Sequence, residues 1–168
     1  QERFLAGNSI SLKVESTKNS AESAKLLVTP NSGVSAALIQ GGVLSTDVDN
    51  QILSLGSVAF EPVWIFYRKN LENRIDRFKD IAKLQVGVGP HNSGTKEIAK
   101  KLFELNGIDI DRSSNFHADS YENNLREFLD GKLDALINVN PEIDPIVNRL
   151  LHEPNARIFE LKHAAAYD

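Results

Sequence analysis

Apolar and polar residues alternate over 10–14, where Ile10, Leu12 and Val14 are separated by Ser11 and Lys13. This two-residue period predicts a half-buried strand. In Asn19-Ser20-Ala21-Glu22 a side chain able to cap a helix stands three residues before a carboxylate. Ala21, Ala24, Leu27 and Val28 then share one helical face until Pro30 closes it. A short apolar run over 36–40 ends at Gly41-Gly42 and predicts a buried strand with a sharp turn. Residues 45–51 are polar and aperiodic. Residues 52–67 are rich in β-formers, but Glu61-Pro62 interrupts them, and proline lacks the N–H that a central ladder needs. Two extended segments joined by a bend are expected there.

From Arg68 onward the pattern becomes a regular alternation. It predicts strands over 84–88, near Phe116, over 135–139 and over 157–161, with helices over 93–106, 120–129 and 141–152 between them. Each helix carries an apolar stripe: Ile98, Leu102 and Leu105 in the first, Tyr121, Leu125, Phe128 and Leu129 in the second, Ile143, Ile146, Val147, Leu150 and Leu151 in the third. Asp119 with Glu122 fits a capping box, Asn140 can cap a helix opened by Pro141, and Gly107 and Gly131 stand where helices should stop. The order implies βαβ organisation and a mostly parallel sheet flanked by helices, an α/β fold.

Composition narrows the function more than the fold. With 41% hydrophobic and 25% charged residues among 168, the chain can bury a core. A formal charge of -4, with Lys and Arg interspersed among acids, offers no field for a phosphate backbone, so no nucleic-acid partner is expected. No apolar run approaches the ~20 residues of a bilayer span, and Gln1-Glu2-Arg3-Phe4 lacks the features of a signal peptide; any export signal or anchor is expected outside this sequence. The absence of cysteine removes disulfides, thiolate metal sites and cysteine nucleophiles, and suits an exported chain. The absence of methionine, and hence of an initiator, points to a processed or excised chain.

The most informative segment is Val86-Gly87-Val88-Gly89-Pro90-His91-Asn92-Ser93-Gly94-Thr95-Lys96, a strand running into a small-residue turn and then a helix. Such a turn lets a ligand approach the backbone, and the free N–H groups and dipole of the helix start favour a carboxylate or phosphate. The plainer reading is a βα turn in which Ser93 or Thr95 caps the helix. Gly89 and Gly94 have P-loop spacing, but Gly94-Thr95-Lys96 inverts the lysine and hydroxyl order, and Asn92 stands where a dinucleotide fingerprint needs its third glycine.

Together, Asn19-Ser20-Ala21-Glu22, Ala37-Leu38-Ile39-Gln40-Gly41-Gly42, Glu61-Pro62-Val63-Trp64, Gly87-Val88-Gly89 with Ser93-Gly94-Thr95, Asn106-Gly107-Ile108 and Asp130-Gly131-Lys132-Leu133-Asp134-Ala135 resemble TAXI-type solute receptors of TRAP transporters, members of the type II periplasmic binding proteins. The resemblance covers nearly the whole chain. It implies two α/β lobes joined by crossing strands: residues 1–67 as a partial lobe one, 68–157 as lobe two, and 158–168 as the crossover back. It further implies ligand contact at Thr17, Ser20, Gln40, Trp64, Ser93, Gly94 and Thr95, a small organic anion such as an amino acid or dicarboxylate, an extracytoplasmic location, and a membrane transporter as partner. A sensory ectodomain coupled to a signalling domain uses the same clamp, and a small α/β enzyme with a phosphate substrate is a third reading. The family's Thr-x-Gly-Ser turn is Thr17-Lys18-Asn19-Ser20 here, and the chain matches the middle of the family's length, so lobe one is expected to be incomplete.

Other candidates carry plainer alternatives. Gln40 at a strand end is either a ligand contact or a turn residue, and Trp64 either a pocket wall or a core residue. Tyr67, His91 and Asn138 are further candidates for selecting a ligand. His91, His117, His152 and His163 have no metal-ligand spacing, and Asp47-Val48-Asp49-Asn50 lacks the glycine and glutamate of a calcium loop, so no metal or cofactor is expected. Asp130 and Asp134 read as a turn around Gly131 rather than as a catalytic pair. Without a Gly-x-Ser-x-Gly elbow or a base partner for Ser93, the sequence supplies no enzymatic mechanism.

Overall fold

Hydrogen bonding gathers one run of residues into a five-stranded sheet. In a computed structural model, which describes residues 11–44 and 46–161, the strands are β1 (Val63–Arg68), β2 (Val86–Gly87), β3 (Phe116–His117), β4 (Ala135–Val139) and β5 (Ala156–Ile158). Their order is β3-β2-β4-β1-β5. β2 pairs in parallel with β3 and with β4, whereas β1 runs antiparallel to β4 and β5. The α/β reading holds, with a mixed sheet: β1 enters against the direction of its neighbours, while the βαβ crossovers keep the others parallel. By its pairing β1 shares one sheet with the strands of the later part of the chain.

The apolar stripes cover both faces of this sheet. On the first face Ile65, Tyr67, Val86, Val88, Ala135 and Ile137 pack under α3 (Phe78–Ile81) and α4 (Gly94–Glu104). Phe103 stands at its centre, 4.6 Å from the ring of Phe78 and 4.8 Å, edge-on, from that of Phe116. On the second face Phe66 and Leu136 pack with Phe128 of α5 (Tyr121–Leu129) and with Val147 and Leu150 of α6 (Pro145–Leu151). The alternation of β1, with Ile65 and Tyr67 to one side and Trp64 and Phe66 to the other, supplies both faces from one strand.

Helix starts follow local chemistry. Asn19 caps α1 (Ser20–Val28) by accepting from the Glu22 N–H, and the Glu22 carboxylate accepts from Lys18 N. The cap of α5 is Ser120 rather than Asp119; the Asp119 carboxylate instead takes Ser120 N at 2.6 Å. α6 begins four residues later than expected. Asp144 accepts from both Ile146 N and Val147 N while Pro145 takes the first helical position, a stronger start than Asn140-Pro141, and Ile143 stays exposed. Asp130 and Asp134 bracket a turn, in which the Asp134 carboxylate accepts from Gln85 N and its carbonyl from Arg68 N.

Three strand expectations do not hold. Residues 11–14, 36–40 and 52–60 carry no ladder among the described residues; Ile10 lies outside them. Strands need partners for their N–H and C=O groups, and here Leu12, Val14, Leu38, Leu53, Leu55, Val58 and Phe60 remain exposed. The polar segment around Asp47 forms a single helical turn, α2 (Thr46–Asp49).

Candidate functional site

The turn between β2 and α4 is shaped by its small residues. Gly89 adopts φ +80°, a conformation that L side chains resist, and Ser93 caps α4 by accepting from Lys96 N at 3.1 Å. β2 is followed by a helix on the first face of the sheet, whereas β4 is followed by α6 on the second. The two connections part between β2 and β4, and in open α/β sheets such a switch point, beyond the carboxyl ends of the strands, is where ligands bind.

Thr95 lies buried at that switch point. Only 1% exposed, its hydroxyl oxygen accepts from Val139 N at 3.2 Å and from Tyr121 Oη at 3.1 Å. One side chain thereby ties the first turn of α4 to the end of β4 and the start of α5. Thr95 supports the turn from beneath, and Ser93 and Gly94 form its half-buried upper surface.

Above that surface lie residues from the first part of the chain. Gln40 N–H donates to Ser20 Oγ at 3.0 Å, and its side-chain Nε2 donates to Glu61 Oε2 at 2.8 Å. Its carboxamide oxygen lies so close to Gly94 that a β-carbon there would overlap it. A second bridge runs from Lys101 Nζ of α4 to the Gly42 carbonyl. Ser20, Gln40, Ser93 and Gly94 therefore converge from three segments on one helix start, the end of an α-helix that attracts oxygen and negative charge.

The remaining expected contacts are placed differently. The Thr17 hydroxyl is 2.6 Å from Ser23 Oγ, at the start of α1. Trp64 donates its indole N–H to the Asn140 carbonyl at 2.9 Å and stacks on Phe66, centroids 6.0 Å apart, so its ring packs with the second-face core. Tyr67 is buried in the first-face core, and burial holds its hydroxyl above the ordinary range. Asn138 is buried beside Val139, and its Oδ1, like that of Asn124, has no partner among the described residues. His91 is exposed, His117 meets Gln85 Oε1 at 2.7 Å, His152 meets its own helix at Asn148 O, and His163 lies outside the described residues. Among the described residues no three metal-ligating side chains cluster, and no helix is long and apolar enough to cross a membrane.

Sequence reasoning missed Glu61, Tyr121 and the Asn140 carbonyl. Each acts across 21 or more positions, and such pairings leave no mark in local periodicity.

No family model and no curated protein matches the chain. Solved structures do. An ancestral arginine-binding protein bound to arginine aligns over 94% of this chain and 64% of that one, at 13% identity and a TM-score of 0.58. The periplasmic aliphatic sulphonate binding protein SsuA from Escherichia coli aligns over 59% of this chain and 33% of that one, at 16% identity and a TM-score of 0.48. The periplasmic sensor of the Borrelia burgdorferi hybrid histidine kinase Hk1 aligns over 94% and 65%, at 16% identity and a TM-score of 0.47. The chain thus spans less than two thirds of the length of each. The arginine-binding protein carries the comparison: this chain has the α/β fold of two-lobe periplasmic binding proteins.

Proposed function

We propose that the chain is the ligand-holding part of an extracytoplasmic solute receptor of the TAXI type, which captures a small carboxylate-bearing solute, an amino acid or a dicarboxylate, for a TRAP-type transporter. The observation that carries this reading is the meeting of Gln40 with Gly94. A polar side chain from the first part of the chain rests on the capped start of α4 at the switch point of the sheet. On this reading Ser93 and Gly94 receive the carboxylate, Ser20 and Gln40 close on it from lobe one, and Thr95 holds the turn in place. Thr17 and Trp64 border the cleft, and residues up to Tyr67 contribute to lobe one. Closure is favoured because only the closed state contacts the ligand from both sides.

The same clamp serves a sensory ectodomain, and flanking membrane helices with a signalling domain in the full gene would favour that alternative. A phosphate-using enzyme is weaker, since Ser93 Oγ is engaged in capping and no base approaches it in the bonds described. The test is a thermal-shift and calorimetric screen of amino acids, dicarboxylates and nucleotides. Saturable stabilisation by a carboxylate, reduced at least about tenfold in Gly94→Val, which obstructs the helix start, is expected. Stabilisation by nucleotides and by no carboxylate overturns the assignment.

A further inference from the structure

A pocket of about 160 Å³ opens on the far flank of α4, between the helix, the 3₁₀ turn Ile110–Arg112 and β3. Ser93, Gly94 and Gln40 are not among its lining residues, so it is separate from the helix start described above. Such a volume admits several waters or one small ion. Val88, Ile110 and Phe116 back it, and Lys96, His91 and Asp111 form its charged side.

The charged side is held together by two ion pairs. Lys96 Nζ, its side chain only 15% exposed, donates to Asp111 Oδ1 at 2.9 Å, and Lys100 Nζ donates to Asp111 Oδ2 at 2.7 Å. Both carboxylate oxygens are occupied, one by each lysine. Glu104 and Glu97 also act on Lys100. Lys96 Nζ also stands 3.4 Å from His91 Nδ1. An ammonium group has no lone pair, so Nδ1 is the acceptor in that contact, which leaves Nε2 as the ring's donor. Lys96 keeps a third N–H and His91 offers Nε2–H, two donors on one pocket, while the Ser113 hydroxyl proton is already given to Asn115 Oδ1.

We propose that this pocket binds a small oxyanion, with Lys96 and His91 as its donors, as a second anion site of the chain that is independent of the cleft. The shared chemistry is an anionic oxygen pair, which a carboxylate, a sulfate or a phosphate can supply.

The experiment is an amide NMR titration of the whole chain with sodium acetate, sulfate and phosphate in separate arms, at constant ionic strength against sodium chloride. Saturable shifts centred on His91, Lys96 and Phe116 in at least one arm are expected, and the arms identify the oxyanion. Lys96→Met should weaken that binding about tenfold, the scale of one lost charge-assisted hydrogen bond. Lys100→Met removes the same charge from outside the pocket lining and should change affinity by no more than about twofold, the weak effect of an exposed charge. Absence of saturable binding in every arm, equal weakening by both variants, or shifts centred on Ser93 and Gly94 would each overturn the proposal.

Discussion

Residues 11–62 and 63–161 draw on the same kinds of apolar residue and use them in opposite ways. Phe60 is 94% exposed and Leu53 91% exposed, whereas Phe66 and Phe103 are fully buried. β-propensity is high in both stretches. What differs is pairing: β1 has β4 on one side and β5 on the other, with helices covering both faces, while the run before it has no ladder on either edge among the described residues. Side-chain preference fits a residue to a half-buried pleated surface, and the surface itself must come from neighbours. The first stretch therefore contributes single polar contacts, Gln40 on Gly94 and the Gly42 carbonyl on Lys101, and the second stretch supplies the rigid frame that receives them.

The widest separation between the two stretches should appear on truncating one phenylalanine in each. Phe103→Ala removes the ring between Phe78 and Phe116 and should cost about 3–5 kcal/mol, a large share of a domain's stability. Phe60→Ala should change stability by less than about 0.5 kcal/mol. Urea unfolding followed by the fluorescence of Trp64, which sits in the second-face core, measures both. A loss in Phe60→Ala near that of Phe103→Ala would mean that residues 52–60 are packed in solution, and the contrast would collapse.

A smaller effect tests whether the frame is rigid where the candidate site needs it. Thr95→Val keeps shape but leaves Val139 N–H and Tyr121 Oη without their acceptor, a cost of about 1–3 kcal/mol. The same variant should loosen the first turn of α4, seen as faster hydrogen exchange at Lys96 and Glu97 with exchange at Leu150 changed only by the global loss. Unchanged exchange at the helix start would show that Ser93 holds the turn by itself.

How far the residues announced this arrangement follows from the same contrast. Helices with a stripe and a cap were legible: Asn19 caps α1 and Ser93 caps α4, because capping is a matter of a few adjacent residues. The strands of the βαβ region were legible in place though not in extent, since a two-residue ladder such as β2 depends on where its neighbours end. The direction of β1 was not legible, because antiparallel pairing of Trp64 with Asn138 joins residues far apart in the chain. The segments before Val63 read as strands by composition, and composition has no information about whether a partner exists. The turn pattern singled out Ser93 and Gly94 as candidates, whereas the inward role of Thr95 depends on Tyr121 and Val139, which no local spacing connects to it.

The smallest expected effect concerns charge at the rim of the frame rather than packing inside it. Hydrogen bonds from Lys100 and then Lys96 hold the Asp111 carboxyl at about 2, below its ordinary 3.8. A depressed carboxylate stabilises the fold above its unfolded value and loses that contribution as pH falls toward the folded value, here between about pH 4 and pH 2. The side chain is 42% exposed, so solvent screens the pairs and their worth is no more than about 1 kcal/mol. Asp111→Asn should therefore melt slightly below the wild type at pH 7, the gap should close by pH 2, and 1 M salt at pH 7 should shrink it as well. Asp80, also held at about 2 by Lys83 and by the Arg77 and Asp76 N–H groups, titrates equally in both proteins and cancels from the difference. A gap that persists unchanged at pH 2 would mean that Asp111 holds α4 to the 3₁₀ turn by shape rather than by charge. The second stretch would then owe its order to packing alone, and its difference from residues 11–62 would be one of partners and nothing else.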